Sequence, residues 1–173
     1  FDDGPTPEVT EWVLNELDKY KAKATFFCIG RNVERHPEIY AKITSQKHAV
    51  GNHTYSHLKG WRTNNQEYID DIHLAAQLID SKLFRPPYGK IGIQQIRKVK
   101  DAGYKLFMWD VLSEDYNKKI REKQCLNNVL DNTQEGSIIV FHDSIKGSKN
   151  LYATLPTVLK TFTEQGFVFR KLK

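Results

Sequence analysis

Cysteine is scarce. The chain has 173 residues, and its two cysteines, Cys28 and Cys125, lie 97 positions apart. Neither belongs to a Cys-x-x-Cys pair, which excludes a cysteine-based zinc site and a disulfide-rich scaffold. One Cys28–Cys125 disulfide stays open, although Cys28 sits in an apolar run and reads as a small buried hydrophobe. Long apolar runs are also absent: none exceeds four residues, Ile138–Phe141 being one, so no membrane-spanning helix is expected. Charge of one sign is nowhere concentrated. Lys and Arg number 26 against 21 Asp and Glu, for a net charge of +5. Acids and bases stand at 8 and 8 in residues 1–60, 8 and 10 in 61–120, and 5 and 8 in 121–173. With no basic block there is no phosphate-binding patch, and nucleic acid is not an expected partner. No low-complexity or linker segment divides the chain, and 39% apolar with 27% charged residues is the composition of one globular domain. The start lacks an initiator Met and a leader pattern. The chain is therefore expected to be the 1–173 part of a domain truncated at its N-terminus.

Apolar periodicity fills that domain with alternating elements. Helices are expected at Pro7–Lys21 (Thr6 as N-cap), Pro37–Ser45, Asn65–Asp80, Ile91–Ala102, Arg121–Thr133 and Leu151–Gln165. Strands are expected at Ala24–Ile29, His48–Gly51, Lys82–Phe84, Tyr104–Trp109, Ser137–Phe141 and Phe167–Arg170. Such alternation implies an α/β fold with a mostly parallel sheet. A strand before Phe1 would complete seven β/α units.

In parallel α/β folds chemistry sits at the carboxyl ends of strands. There the chain places Asp2-Asp3-Gly4-Pro5, Asn52 to His57, Arg85-Pro86-Pro87-Tyr88-Gly89, the Trp109–Tyr116 stretch and His142-Asp143. His53 and His57, spaced i, i+4 as on a helical turn, can share a cation, and a nearby carboxylate would complete an Asp-His-His set with positions open for water. Of Asp2 and Asp3, one could be that ligand and the other a free base, fixed and ionised by Arg85. His142 could act as a general acid held by a carboxylate, with Asp115 the candidate. Asp143 could simply cap the next turn. Tyr88, Trp109 and Tyr116 could be core aromatics or line a sugar-sized groove. His36, His48 and His73 lack a strand-end setting and read as structural or exposed.

Taken in order, these motifs resemble the polysaccharide deacetylases of carbohydrate esterase family 4, the homology domain of nodulation-type chitooligosaccharide deacetylases. Phe1-Asp2-Asp3-Gly4-Pro5 is similar to that family's Thr-Phe-Asp-Asp-Gly-Pro motif without its Thr. His53-Thr54-Tyr55-Ser56-His57 matches His-[Ser/Thr]-x-x-His, Arg85 to Gly89 matches the Arg-x-Pro-Tyr motif, and Val140-Phe141-His142 resembles Leu-x-His.

The resemblance implies a distorted, TIM-barrel-like (β/α)7 barrel whose first strand is missing from this chain. It implies hydrolysis of N- or O-acetyl groups on a carbohydrate. Asp2 would be the base, His142 the acid tuned by Asp115, and Arg85 the residue orienting Asp2, with the Tyr88 N–H helping to hold the oxyanion. Asp3, His53 and His57 would bind a divalent metal, usually zinc, with cobalt, nickel or manganese compatible with the same ligands. Pro87, Trp109, Tyr116 and Val140 would line the substrate pocket, and an extracytoplasmic location is favoured. Two departures fall at that pocket: Tyr116 and Val140 stand where the family usually has Trp and Leu. They keep open a metal-dependent amidase on a small non-sugar amide; a non-catalytic carbohydrate-binding relic is a separate alternative.

Overall fold

A computed structural model describes residues 1–173. Six short strands, β1 (Thr25–Cys28), β2 (Ala49–Asn52), β3 (Leu83–Phe84), β4 (Lys105–Leu106), β5 (Val111–Leu112) and β6 (Ile139–Val140), alternate with seven helices. The helices are α1 (Val9–Lys19), α2 (Gly30–Arg35), α3 (Pro37–Ser45), α4 (Asn65–Ala76), α5 (Ile93–Asp101), α6 (Glu122–Leu130) and α7 (Ser148–Glu164). All pairing is parallel, in a four-stranded sheet ordered β1-β2-β3-β4 and a two-stranded sheet β5-β6.

The start of the chain joins the two sheets. Asp2 bridges in parallel to Phe27 of β1 and to His142 beyond β6. Its N–H donates to the Phe141 carbonyl at 3.0 Å, and the Phe27 N–H donates to the Phe1 carbonyl at 2.8 Å. Phe1–Asp2 thus occupies a strand position between β6 and β1. Counted with the six strands it gives seven, the order of a distorted (β/α)7 barrel. A parallel sheet covered on both faces requires apolar strands, and β1 is buried at all four positions.

The larger core cluster holds 20 buried residues. It packs α1 and α7 over β1, with Val13, Leu14, Phe26, Leu151, Leu155 and Leu159 at its centre. A second cluster of six, Tyr68, Ile69, Ile72, Phe84, Val99 and Tyr104, lies beneath α4 and α5. Cys28 and Cys125 are buried and free, so the disulfide left open is not formed. No helix is long and apolar enough to cross a membrane.

Several expected elements are corrected. α1 begins at Val9, with Glu8 rather than Thr6 at its N-cap. The reason lies in Thr10, whose hydroxyl oxygen accepts the Thr6 N–H at 2.7 Å and whose O–H is drawn inward to Asp143. The single strand expected over Tyr104–Trp109 breaks after Leu106. Phe107 N–H still donates to the Phe84 carbonyl, but Asp110 and Val111 N–H turn to Ile138, so the chain crosses from β3 to β6 in between. Phe167–Arg170 forms no strand; Phe169 accepts one hydrogen bond, from the Lys23 N–H. The short α2 was not expected. It fits because Gly30 lets it approach α4, where an added Cβ would lie 3.0 Å from Ala75.

Phe26 is fully buried and stacks on Phe1 at 5.1 Å. Phe26→Ala is expected to cost about 3–5 kcal/mol, measured by urea unfolding; a loss below about 1 kcal/mol would contradict this packing.

Candidate active site

The strand ends converge on one buried polar cluster. Asp2 and Arg85 are each nearly inaccessible, at 3% and 2%. Arg85 Nη1 donates to Asp2 Oδ1 at 2.8 Å. Its Nη2 donates to the Met108 carbonyl at 2.9 Å and its Nε to that of Phe107 at 3.4 Å. The guanidinium lies 4.2 Å above the Phe27 ring. Burial alone would raise the Asp2 pKa, but the Arg85 charge, with His53 and His142, outweighs it and holds Asp2 below its ordinary value. Asp2 is therefore ionised at neutral pH.

Asp3 points to a different set of partners. His57 Nε2 lies 3.2 Å from its Oδ1 and His53 Nε2 3.7 Å away. The ligand atoms of Asp3, His53 and His57 all fall within 4.8 Å of one another. Despite burial, the His57 hydrogen bond and both imidazoles lower the Asp3 pKa. His53 is buried, and desolvation takes its pKa down to about 4, so it is a neutral donor. Its Nδ1 lies 2.7 Å from the Arg85 carbonyl. A carbonyl can only accept, so Nδ1 carries the proton and Nε2 turns a lone pair toward Asp3, the outer-shell bond that orients a metal-binding histidine. One carboxylate and two imidazoles converging on one point are a donor set that fits a divalent cation.

The His53–His57 segment is not the helical turn that its spacing suggested. It is an irregular loop with Thr54 at φ 63° and His57 at φ 59°. Two side chains hold it: buried Asn52, whose Oδ1 accepts the Thr54 N–H at 2.8 Å, and half-buried Asp71, whose Oδ2 accepts those of Tyr55 and Ser56. The imidazole centroids still come within 5.1 Å. Asp3, at φ 82°, and Tyr88, at φ 59°, also occupy the left-handed region. Such strain in non-glycine residues costs about 1–3 kcal/mol each and gathers at functional sites.

His142 faces this cluster from the other sheet. Its Nδ1–H donates to Asp115 Oδ1 at 2.7 Å and its backbone N–H to Asp115 Oδ2 at 2.7 Å. Burial lowers the His142 pKa, but the Asp115 hydrogen bond and charge, with Asp2 and Asp3, raise it further than burial lowers it. Nε2 is thus the nitrogen left to exchange a proton. The Tyr116 ring meets the His142 ring edge-on at 4.8 Å, and the Tyr88 ring lies 4.6 Å from that of His57. Trp109 packs on Gly89, where an added Cβ would approach its ring to 2.7 Å. Pro87 is buried in the turn carrying Tyr88. Val140 is buried in β6, two residues before His142 and so on the same strand face.

Asp143 is not a turn cap. It is fully buried, with Oδ1 accepting the Gly4 N–H at 3.3 Å and Oδ2 the Thr10 hydroxyl at 2.6 Å. Its own N–H donates to the Asp2 carbonyl at 3.1 Å. Gly4 is required there, because a Cβ would lie 2.0 Å from Oδ2. Asn32, whose Nδ2 donates to the Asp3 carbonyl at 2.8 Å, Asn52, Asp71 and Thr10 also went unanticipated. Only Asn52, directly before His53 at a strand end, carries a local signal. Of the remaining histidines, His48 is structural, accepting the Ala24 N–H, and His73 is exposed. A cavity of about 790 Å³ lies elsewhere, between Thr25, Ile139 and Phe162. It is lined by few of these polar groups, so the strand-end cluster, not the cavity, is the site.

Comparison with known proteins shows which sequences and folds this chain is similar to. Residues 1–107 match the sequence model of the polysaccharide deacetylase family. A peptidoglycan-N-acetylglucosamine deacetylase of Bacillus cereus is 34% identical over 171 residues, 93% of this chain and 62% of the relative. A chitooligosaccharide deacetylase of Azorhizobium caulinodans is 31% identical over 190 residues, 99% of this chain and 90% of the relative. Among solved structures, a peptidoglycan N-acetylglucosamine deacetylase superposes with a TM-score of 0.89 at 31% identity, over 99% of this chain and 83% of its own. The chain thus spans 62% to 90% of these curated relatives.

Burial pushes the Asp143 carboxyl up to about 7, against the pull of the Thr10 hydrogen bond. An unfolded aspartate titrates near 3.8. Between those values the folded state holds the proton and the unfolded state does not, so stability falls as pH rises and levels off above about 7. In metal-free protein, the stability of wild type relative to Asp143→Asn is expected to fall between about pH 5 and 7, read from urea midpoints. A pH-independent difference would contradict this.

Proposed function

Because this chain belongs to the polysaccharide deacetylase family, we propose that it is a metal-dependent hydrolase removing N- or O-acetyl groups from a carbohydrate. One observation carries the reading: Asp2 is paired to Arg85 at 2.8 Å, outside the Asp3-His53-His57 cluster, which leaves a base beside a ligand set. The relatives named for peptidoglycan and chitooligosaccharides support an acetylated glycan as substrate.

Asp3, His53 and His57 would hold the cation, zinc by preference for this donor set. When bound, a divalent cation polarises an acetyl carbonyl and lowers the pKa of water toward neutrality. Asp2 takes the proton of the attacking water, and Arg85 keeps it ionised to do so. The Tyr88 N–H supports the developing oxyanion. His142 Nε2 delivers a proton to the departing nitrogen or oxygen, while Asp115 fixes the ring and supports its charged form. Pro87, Trp109, Tyr116 and Val140 are assigned to the walls around the acetyl group. The complete set of Asp2, Asp3, His53, His57, Arg85, Asp115 and His142 counts against a non-catalytic relic, which could lose any of them freely.

The test is acetate release from N-acetylglucosamine oligomers, with metal analysis of the same sample. Asp2→Asn is expected to lower kcat by about 10²–10⁴-fold with metal still bound, whereas His57→Ala should lose the metal. Near-normal turnover in the first variant, or unchanged metal content in the second, would overturn the assignments. Catalysis requires protonated His142, so kcat/KM should fall as pH rises through its pKa. Asp115→Asn removes the charge that contributes most to raising that pKa and should move the alkaline limb to lower pH by about one unit or more. An unmoved limb would remove Asp115 from the role.

A further inference from the structure

Two lysines reach over the aromatic walls of the site. Lys59 Nζ lies 5.7 Å from the centroid of Tyr88, the ring against His57. Lys146 Nζ lies 5.1 Å from that of Tyr116, the ring against His142. Each ammonium is therefore separated by one aromatic ring from its site residue, Lys59 from the ligand His57 and Lys146 from the proton donor His142. A third pair lies near the first: Lys90 Nζ sits 4.2 Å over Trp61, and the Gly60 N–H donates to the Lys90 carbonyl at 3.1 Å. Trp61 is 63% exposed and Tyr88 57%, so both present free aromatic faces.

None of the three ammonium groups has a carboxylate within ion-pair distance; the ion pairs of the molecule lie elsewhere. The neighbouring acid on the Tyr116 side, Glu114, accepts a hydrogen bond from Asn117 Nδ2 at 3.0 Å. An exposed cation–aromatic contact is worth only about 0.5–1 kcal/mol, so these lysines are free to meet an incoming anion. The even spread of charge along the sequence hides this, because Lys59, Lys90 and Lys146 come from three separate loops.

We propose that Lys59 and Lys146 make this site select acetylated glycans that carry carboxylates over neutral ones, with Lys90 extending the same preference along the Trp61 side. The inference rests on the deacetylase reading. A sugar ring seated between Tyr88 and Tyr116 would present its acetyl group to Asp2 and His142. Carboxylates on that ring or its neighbours would lie within reach of the ammonium groups. Close to a protein surface such attractions fall with salt, since the screening length is about 10 Å at 0.1 M ionic strength.

The experiment compares acetate release from two probes. One is a peptide-free glycan of alternating N-acetylglucosamine and N-acetylmuramic acid; the other is the same glycan with its carboxylates converted to amides. Wild type is expected to favour the carboxylate probe by about ten-fold in kcat/KM, chiefly through KM, and to lose most of that preference between about 0.02 and 0.5 M salt. The double variant Lys59→Gln, Lys146→Gln should bring the ratio of the two probes close to one, while Lys98→Gln, an exposed lysine on α5, should keep the wild-type ratio. Equal use of both probes by wild type, or an unchanged ratio in the double variant, overturns the inference and leaves the deacetylase reading standing. No acetate from either probe or from N-acetylglucosamine oligomers overturns that reading and the inference with it.

Discussion

Arg85 and Asp2 are both almost fully buried, and a buried ion pair holds only when each charge is matched and the remaining donors are used. Asp2 supplies the countercharge, the carbonyls of Phe107 and Met108 take two more of the five N–H donors, and the Phe27 ring lies under the guanidinium. Those partners come from the chain start, β1 and the crossing between β4 and β5. The pair therefore ties together the segments that close the barrel as well as setting the charge of the base. Removing one partner would leave a buried charge unmatched, at a cost of about 3–5 kcal/mol. The Arg85 carbonyl then orients His53, so the same residue reaches both the base and the ligand cluster.

Three further carboxylates divide the remaining work. Asp115 holds His142 through side chain and backbone at once. Asp143 holds the Gly4 turn, and through its own N–H the Asp2 carbonyl. Asp71 holds the loop between His53 and His57. Each acceptor fixes backbone N–H groups that no strand or helix satisfies, which is how irregular segments at strand ends keep buried polar groups paired. Left-handed Asp3 and His57 each lie next to a residue held in this way, Gly4 and Ser56.

Much of this was legible in the sequence. The alternation of elements gave the fold class, and polar residues after five strands gave Asp2, Asp3, His53, His57, Arg85, Asp115 and His142. Which Asp is base and which is ligand was not legible from spacing, because adjacent residues differ only in the direction the chain turns; the resemblance supplied the expectation, and in the structure Asp3 faces His53 and His57 while Asp2 pairs with Arg85. The helical turn expected at His53–His57 does not form because Asn52 and Asp71 impose a different loop, and Asp71 reaches it from α4, 15 and 16 positions from the residues it holds. Asp143 was underestimated because its partners, Gly4 and Thr10, are more than 130 positions away. The break in the Tyr104–Trp109 strand has a similar cause: the carbonyls of Phe107 and Met108 serve Arg85, a tertiary demand without local pattern.

The account turns on Asp2 being a carboxylate held ionised by Arg85. A carbon-13 NMR titration of the aspartate carboxyls, with Asp2 assigned by its loss in Asp2→Asn, measures this directly. The account predicts that Asp2 protonates below the ordinary aspartate value of 3.8. Protonation at or above that value would contradict it.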